Sequence, residues 1–118
     1  MQRRHLWLGL LALGSGGARA AGATVTVRNA QLVVLKELRT RGELAEFHRY
    51  WSSRQPTAQT TAEVQDWSYT MDIVVGHAVD RWLYQSNGLT AKVASSVQRV
   101  YRISRPAGFN TLIGAPRY

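Results

Sequence analysis

The sequence predicts an α+β fold: an N-terminal kinked helix or helix pair packed on a four-stranded antiparallel meander sheet, with a short C-terminal helical turn. Three observations predict it. Apolar residues recur at helical spacing as far as Trp51, the period changes to two from Asp66, and Asn87-Gly88 then marks a tight hairpin.

The chain has 118 residues and no cysteine. Arg3, Arg4 and His5 make a positive start, Leu6 to Leu13 an apolar run, and Ala18-Arg19-Ala20 a small-residue cleavage pattern, so residues 1–20 read as a cleavable export signal cut between Ala20 and Ala21. The apolar run is eight residues long, whereas a bilayer span needs about twenty. No stable membrane anchor is therefore expected after cleavage, and no cysteine follows the run to carry a lipid. Arg3-Arg4 also suits a twin-arginine signal, although the general secretory route is the simpler reading. Removing the signal from 118 residues leaves 98, one small α+β domain over 21–118. A chain of that size buries roughly 60–65% of its surface on folding, which allows one core of two layers. The address expected is periplasmic or secreted.

The elements follow in order. Thr24-Val25-Thr26-Val27 alternates as a short edge strand or extended lead-in. Asn29 stands where it would cap a helix over Ala30–Arg39, with Leu32, Leu35 and Leu38 at helical spacing. Gly42 suggests a stop or kink, while Thr40 and Glu43 have capping-box spacing for a second helix through Leu44, Phe47, Tyr50 and Trp51. Ser52 to Glu63, with Pro56 and several threonines, reads as a polar connector. Trp67, Tyr69, Met71, Ile73 and Val75 then alternate with polar residues as a half-buried strand, and Gly76-His77 reverses the chain into Ala78–Gln85. A two-residue Asn87-Gly88 loop sets Tyr84 opposite Ala91 and Trp82 opposite Val93, leaving Arg81 and Lys92 on the other face. Val97–Ser104 makes a fourth strand with Val97, Tyr101 and Ile103 on one face, and Ala107–Ile113 a short helix ended by Gly114 and Pro116. In element order alone this resembles cystatin-like and related folds of a helix on a sheet, which serve enzymes, inhibitors and assembly modules alike.

Chemical motifs are sparse. His48 and His77, with Asp66, Asp72 and Asp80, are the natural starting points for catalysis. None has the spacing of a helical metal pair, a Gly-x-Ser-x-Gly elbow or a phosphate-binding glycine loop. The expectation is therefore no enzyme, no metal and no cofactor.

Charge says more. The chain carries +8, and without Arg3, Arg4 and Arg19 the remainder carries +5. Residues 21–80 hold six Lys/Arg against seven Asp/Glu, whereas residues 81–118 hold six Lys/Arg and no acid. Arg81, Lys92, Arg99, Arg102 and Arg105 are thus the candidate partner-binding residues, with Trp67 and Tyr69 as candidate exposed aromatics. Guanidinium groups on an exported domain suit carboxylates or phosphates on an acidic protein, a lipid headgroup or an envelope polymer, and not nucleic acid, for which no recognition motif is present. The function expected is a non-enzymatic module binding a macromolecular partner, as an inhibitor, immunity-type or envelope-assembly factor. The alternative is a small-ligand or polyanion binder, or an enzyme, using a pocket between helices and sheet.

Overall fold

The computed structural model describes residues 22–116; the expected signal and its cleavage point at Ala20 and Ala21 lie outside the described residues. Strands β1 (Ala23–Asn29) and β2 (Val34–Leu38) come first, followed by helix α1 (Arg41–Ser52) and strand β3 (Gln55–Thr60). Strands β4 (Tyr69–Val75), β5 (Ala78–Tyr84), β6 (Leu89–Lys92) and β7 (Arg99–Arg102) lead into helix α2 (Pro106–Ile113). All strand pairs are antiparallel, and they make one seven-stranded sheet in the order β2-β1-β4-β5-β6-β7-β3.

The expected fold class is therefore corrected: the described residues are mostly sheet, with two short helices, and among them no helix pair precedes a four-stranded meander. The segment expected as the first helix is a hairpin. Asn29 does not cap a helix; its side chain accepts from the backbone N–H groups of Gln31 and Val33 at 2.9 and 3.0 Å, which closes a turn instead. Leu32 takes φ 65° within that turn. The β-branched pair Val33-Val34 leads into β2. Of the three leucines at helical spacing only Leu38 is fully buried, and Leu32 is 63% exposed. β1 becomes an interior strand between β2 and β4.

The polar connector is also a strand. β3 pairs with β7 at the far edge, where Gln55 faces Arg102 and Thr60 faces Arg99. Its side chains are exposed or half-buried, so backbone pairing without an apolar face left no period-two signal. With two strands ahead of α1, the cystatin-like element order does not hold.

α1 matches the second expected helix. Thr40 and Glu43 form the reciprocal capping box, and Leu44, Phe47 and Trp51 are its buried face. Gly42 lies within the first turn rather than stopping the helix. Both helices pack on one face of the sheet, where β1 presents Ala23, Val25 and Val27 and β4 presents Tyr69, Met71 and Ile73. Phe109 joins Phe47, Tyr50, Trp51 and Tyr84 through ring contacts of 5.2 to 6.4 Å. Gly108 leaves room there for the Tyr50 hydroxyl, which a Cβ would meet and displace. Asn110, fully buried on α2, accepts from the Tyr84 hydroxyl and donates to the Ser86 carbonyl at 2.9 Å, tying the last helix to the β5–β6 hairpin. Burial of Tyr84 raises its hydroxyl pKa well above the ordinary phenol range.

The β5–β6 register differs from the two-residue-loop expectation. Gly88 N–H donates to Gln85 and Gln85 N–H to Leu89, both at 2.9 Å, so Ser86-Asn87-Gly88 form a three-residue loop with Gly88 at φ 100°. The pairing consequently moves by one: Trp82 faces Lys92, and Tyr84 faces Thr90. Lys92 thus shares the helix-side face with Trp82 and meets Asp80 at 3.4 Å, while Arg81 alone projects outward as expected. Val97 precedes β7 and is 62% exposed, so it does not join Tyr101 and Ile103.

A second, smaller apolar cluster of Val64, Leu89, Ala91 and Val100, with Trp67 against it, lies on the outer face. The segment between β3 and β4 straps this end of the sheet. Asp66, at φ 64°, turns the chain there before β4 begins.

Candidate binding surface

The five expected cationic contacts do not assemble into one patch. Arg81 lies on the outer face of β5 and donates through Nε and Nη2 to the two carboxylate oxygens of Asp72 at 2.7 and 3.0 Å. Lys92 points to Asp80 on the opposite face. Arg99 donates to the Thr57 carbonyl at 2.8 Å, closing the irregular pairing of β3 with β7. Arg102 reaches the Asn87 carbonyl at 3.2 Å beside the β5–β6 loop, and Arg105 is the exposed residue before α2. Arg99 and Arg102 stand an odd interval apart on β7 and so project to opposite faces, and the β5–β6 register puts Lys92 on the face opposite Arg81.

The expected exposed aromatics are corrected as well. Tyr69 is buried at 9% exposure on the helix side of β4, and Trp67 is half-buried against the small outer cluster. The space expected as a pocket between helices and sheet holds the rings of Phe47, Trp51, Trp82, Tyr84 and Phe109. At its margin the Arg54 guanidinium lies over Trp51, Trp82 and Tyr101 at 4.1, 4.9 and 5.6 Å from the ring centres. His48 lines an open depression of about 440 Å³ on the outer side of α1, together with Gly42, Ala45, Glu46 and Arg49. His77 is exposed in the β4–β5 turn, Asp80 pairs with Lys92, and Asp66 is exposed in the strap, so the four stand apart. Among the described residues no three His, Cys, Asp or Glu side chains gather in a metal-binding group.

A different surface emerges at the β1–β2 end of the outer face. Arg28, absent from the charge-based candidates because it lies in the near-neutral half, donates through Nη1 to Asp72 at 2.8 Å. One carboxylate therefore holds two guanidinium groups, Arg28 from β1 and Arg81 from β5. Hydrogen bonds and charge from Arg81 hold the Asp72 carboxyl below the usual carboxylate range, against the opposing effect of burial, with Arg28 adding to them. Asp72 in turn raises the Arg81 pKa. The trio carries one net positive charge, and with Arg81 half-exposed it faces solvent.

Val34 stands directly opposite Arg28 in the β1–β2 ladder, and residues opposed in an antiparallel pair share a face. The apolar tip therefore adjoins the arginine pair. Leu32, Val33 and Val34 are exposed by 63%, 56% and 47%, three consecutive aliphatic side chains in water. Leu32 also occupies the left-handed region, where glycine or asparagine is the ordinary occupant and a branched side chain costs roughly 1 to 2 kcal/mol. Sequence reading missed this tip because it assigned Leu32 to a buried helix stripe. The discriminating signal was Asn29 followed by Val33-Val34, which fits an Asx turn entering a strand. Compared with protein families, curated proteins and solved structures, the chain matches none.

Proposed function

We propose that the protein is an exported, non-enzymatic binding module, and that it engages a macromolecular partner through the corner made by the β1–β2 tip and the Arg28–Asp72–Arg81 trio. The observation that carries this reading is Leu32: a leucine held at φ 65° and 63% exposed gains nothing for the core, so its placement serves a contact outside the chain. The arginine pair supplies the polar half of the contact. Asp72 fixes both guanidinium groups in position and leaves donors on the solvent side for carboxylates or phosphates. Export rests on the basic, apolar and small-residue regions of residues 1–20.

Hydrogen exchange of the protein with and without an envelope fraction tests this reading. Slowed exchange over residues 29–36 is the expected result. Protection confined to the β3 edge or the Arg99–Arg105 end would move the contact elsewhere, and no protection at all would remove the reading.

A further inference from the structure

We infer that the surface engaged by this corner is an anionic phospholipid layer, with the β1–β2 tip entering its apolar region and Arg28 and Arg81 meeting headgroup phosphates. The inference rests on the proposed contact corner and names what that corner takes.

Four observations favour lipid. From Asn29 to Leu35 the chain has no charged residue, and Arg28 and Lys36 bracket the stretch. Three consecutive aliphatic side chains, Leu32, Val33 and Val34, are exposed, with Gln31 the exposed polar residue before them. The tip also pairs much of its own backbone. Asn29 Oδ1 accepts from Gln31 N–H and Val33 N–H, the Asn29 carbonyl accepts from Leu32 N–H at 2.9 Å, and Asn29 N–H donates to Val33 at 3.0 Å. With these four donors paired internally, the turn enters a medium without water at less polar cost than an open turn would. Finally, charge and apolar surface are layered as a membrane boundary is layered: Arg28 opposes Val34 in the ladder, so cations stand just behind the aliphatic tip.

The tip is small, and one short apolar insertion gives weak, reversible attachment that needs electrostatic attraction as a second contribution. The Arg28–Asp72–Arg81 trio provides it with its net positive charge. Glu37, the acid nearest along β2, is engaged by Arg39 at 2.8 Å and so adds little repulsion. No helix among the described residues is long and apolar enough to cross a membrane, so attachment through the tip is peripheral.

The chain's lack of cysteine makes the test direct. A Val33→Cys variant carries one thiol, to which an environment-sensitive fluorophore is attached; Val97→Cys, exposed to a similar degree in the β6–β7 connection, is the control. Vesicles of phosphatidylcholine, with and without phosphatidylglycerol, are added to the protein produced from the full sequence. The expected result is a blue shift at position 33 with phosphatidylglycerol vesicles, a much smaller one with phosphatidylcholine alone, and none at position 97. Leu32→Gly relieves the turn and keeps the fold, so loss of the shift in that background assigns insertion to the leucine. Arg28→Gln and Arg81→Gln are each expected to weaken binding about fivefold. An unchanged signal at position 33 with both vesicles overturns the lipid inference. If position 33 then responds to membrane-free envelope proteins, the contact corner stands and its partner is a protein; if it responds to neither, the proposed function falls too.

Discussion

The two faces of the sheet are finished differently. The helix side is closed by α1 and α2 over one continuous aromatic and aliphatic core, while among the described residues the outer side is covered where the strap brings Val64 and Trp67 onto Leu89, Ala91 and Val100. The β1–β4–β5 end of that outer face carries Arg28, Asp72 and Arg81 instead, with the aliphatic tip beside them. Stability is thus concentrated on one face and half of the other. The remaining quarter is left uncovered among the described residues.

Substitutions can break that contrast in graded steps. Phe47→Ala removes a fully buried ring touching Trp51 and Phe109, and is expected to cost about 3–5 kcal/mol in urea or thermal unfolding. Leu89→Ala, in the smaller outer cluster, is expected to cost about 2–3 kcal/mol by the same measurement. Equal losses at the two positions would mean that the strap is as much a core as the helix side.

The uncovered quarter has smaller effects and a pH signature. The Asp72 carboxyl is held below its ordinary value in the folded protein, so its contribution is present above the unfolded pKa of about 3.9 and is lost as pH falls through the folded one. Glu43 acts in the same direction: burial raises its pKa, but the Arg39 and Thr40 hydrogen bonds and Lys36 more than offset that. Asp72→Asn is expected to cost about 1 kcal/mol near neutrality and to flatten the decline of stability below about pH 4, read from unfolding midpoints against pH. Last, Leu32→Gly is expected to raise stability by up to about 1 kcal/mol, since glycine accepts φ 65° without the side-chain clash. A destabilised Leu32→Gly would show that the leucine packs on this chain after all.

How much of this was legible in the sequence depended on whether a segment buries one of its faces. β4, β5 and α1 each do, and Met71, Ile73, Trp82, Tyr84, Leu44 and Phe47 announced them through their spacing. β3 buries neither face, so its identity lies in backbone pairing with β7, which composition does not encode. The β1–β2 hairpin misled for the opposite reason: it carries apolar residues that are not core, and three leucines at helical intervals outweighed one asparagine turn. The arginine cluster was half legible. Arg81 was identified, but Arg28 lies 44 positions from the Asp72 that recruits it, and only the strand order brings them together.

That strand order has a kinetic consequence. β3 leaves α1 early in the chain, yet its partner is β7, and Thr57 bonds to Val100 across 43 positions. The sheet therefore cannot close when its N-terminal half is made; the local β4–β5 and β5–β6 hairpins are expected to form before β3 pairs with β7. Replacements along β3 should consequently accelerate unfolding in a chevron experiment while hardly changing the folding limb.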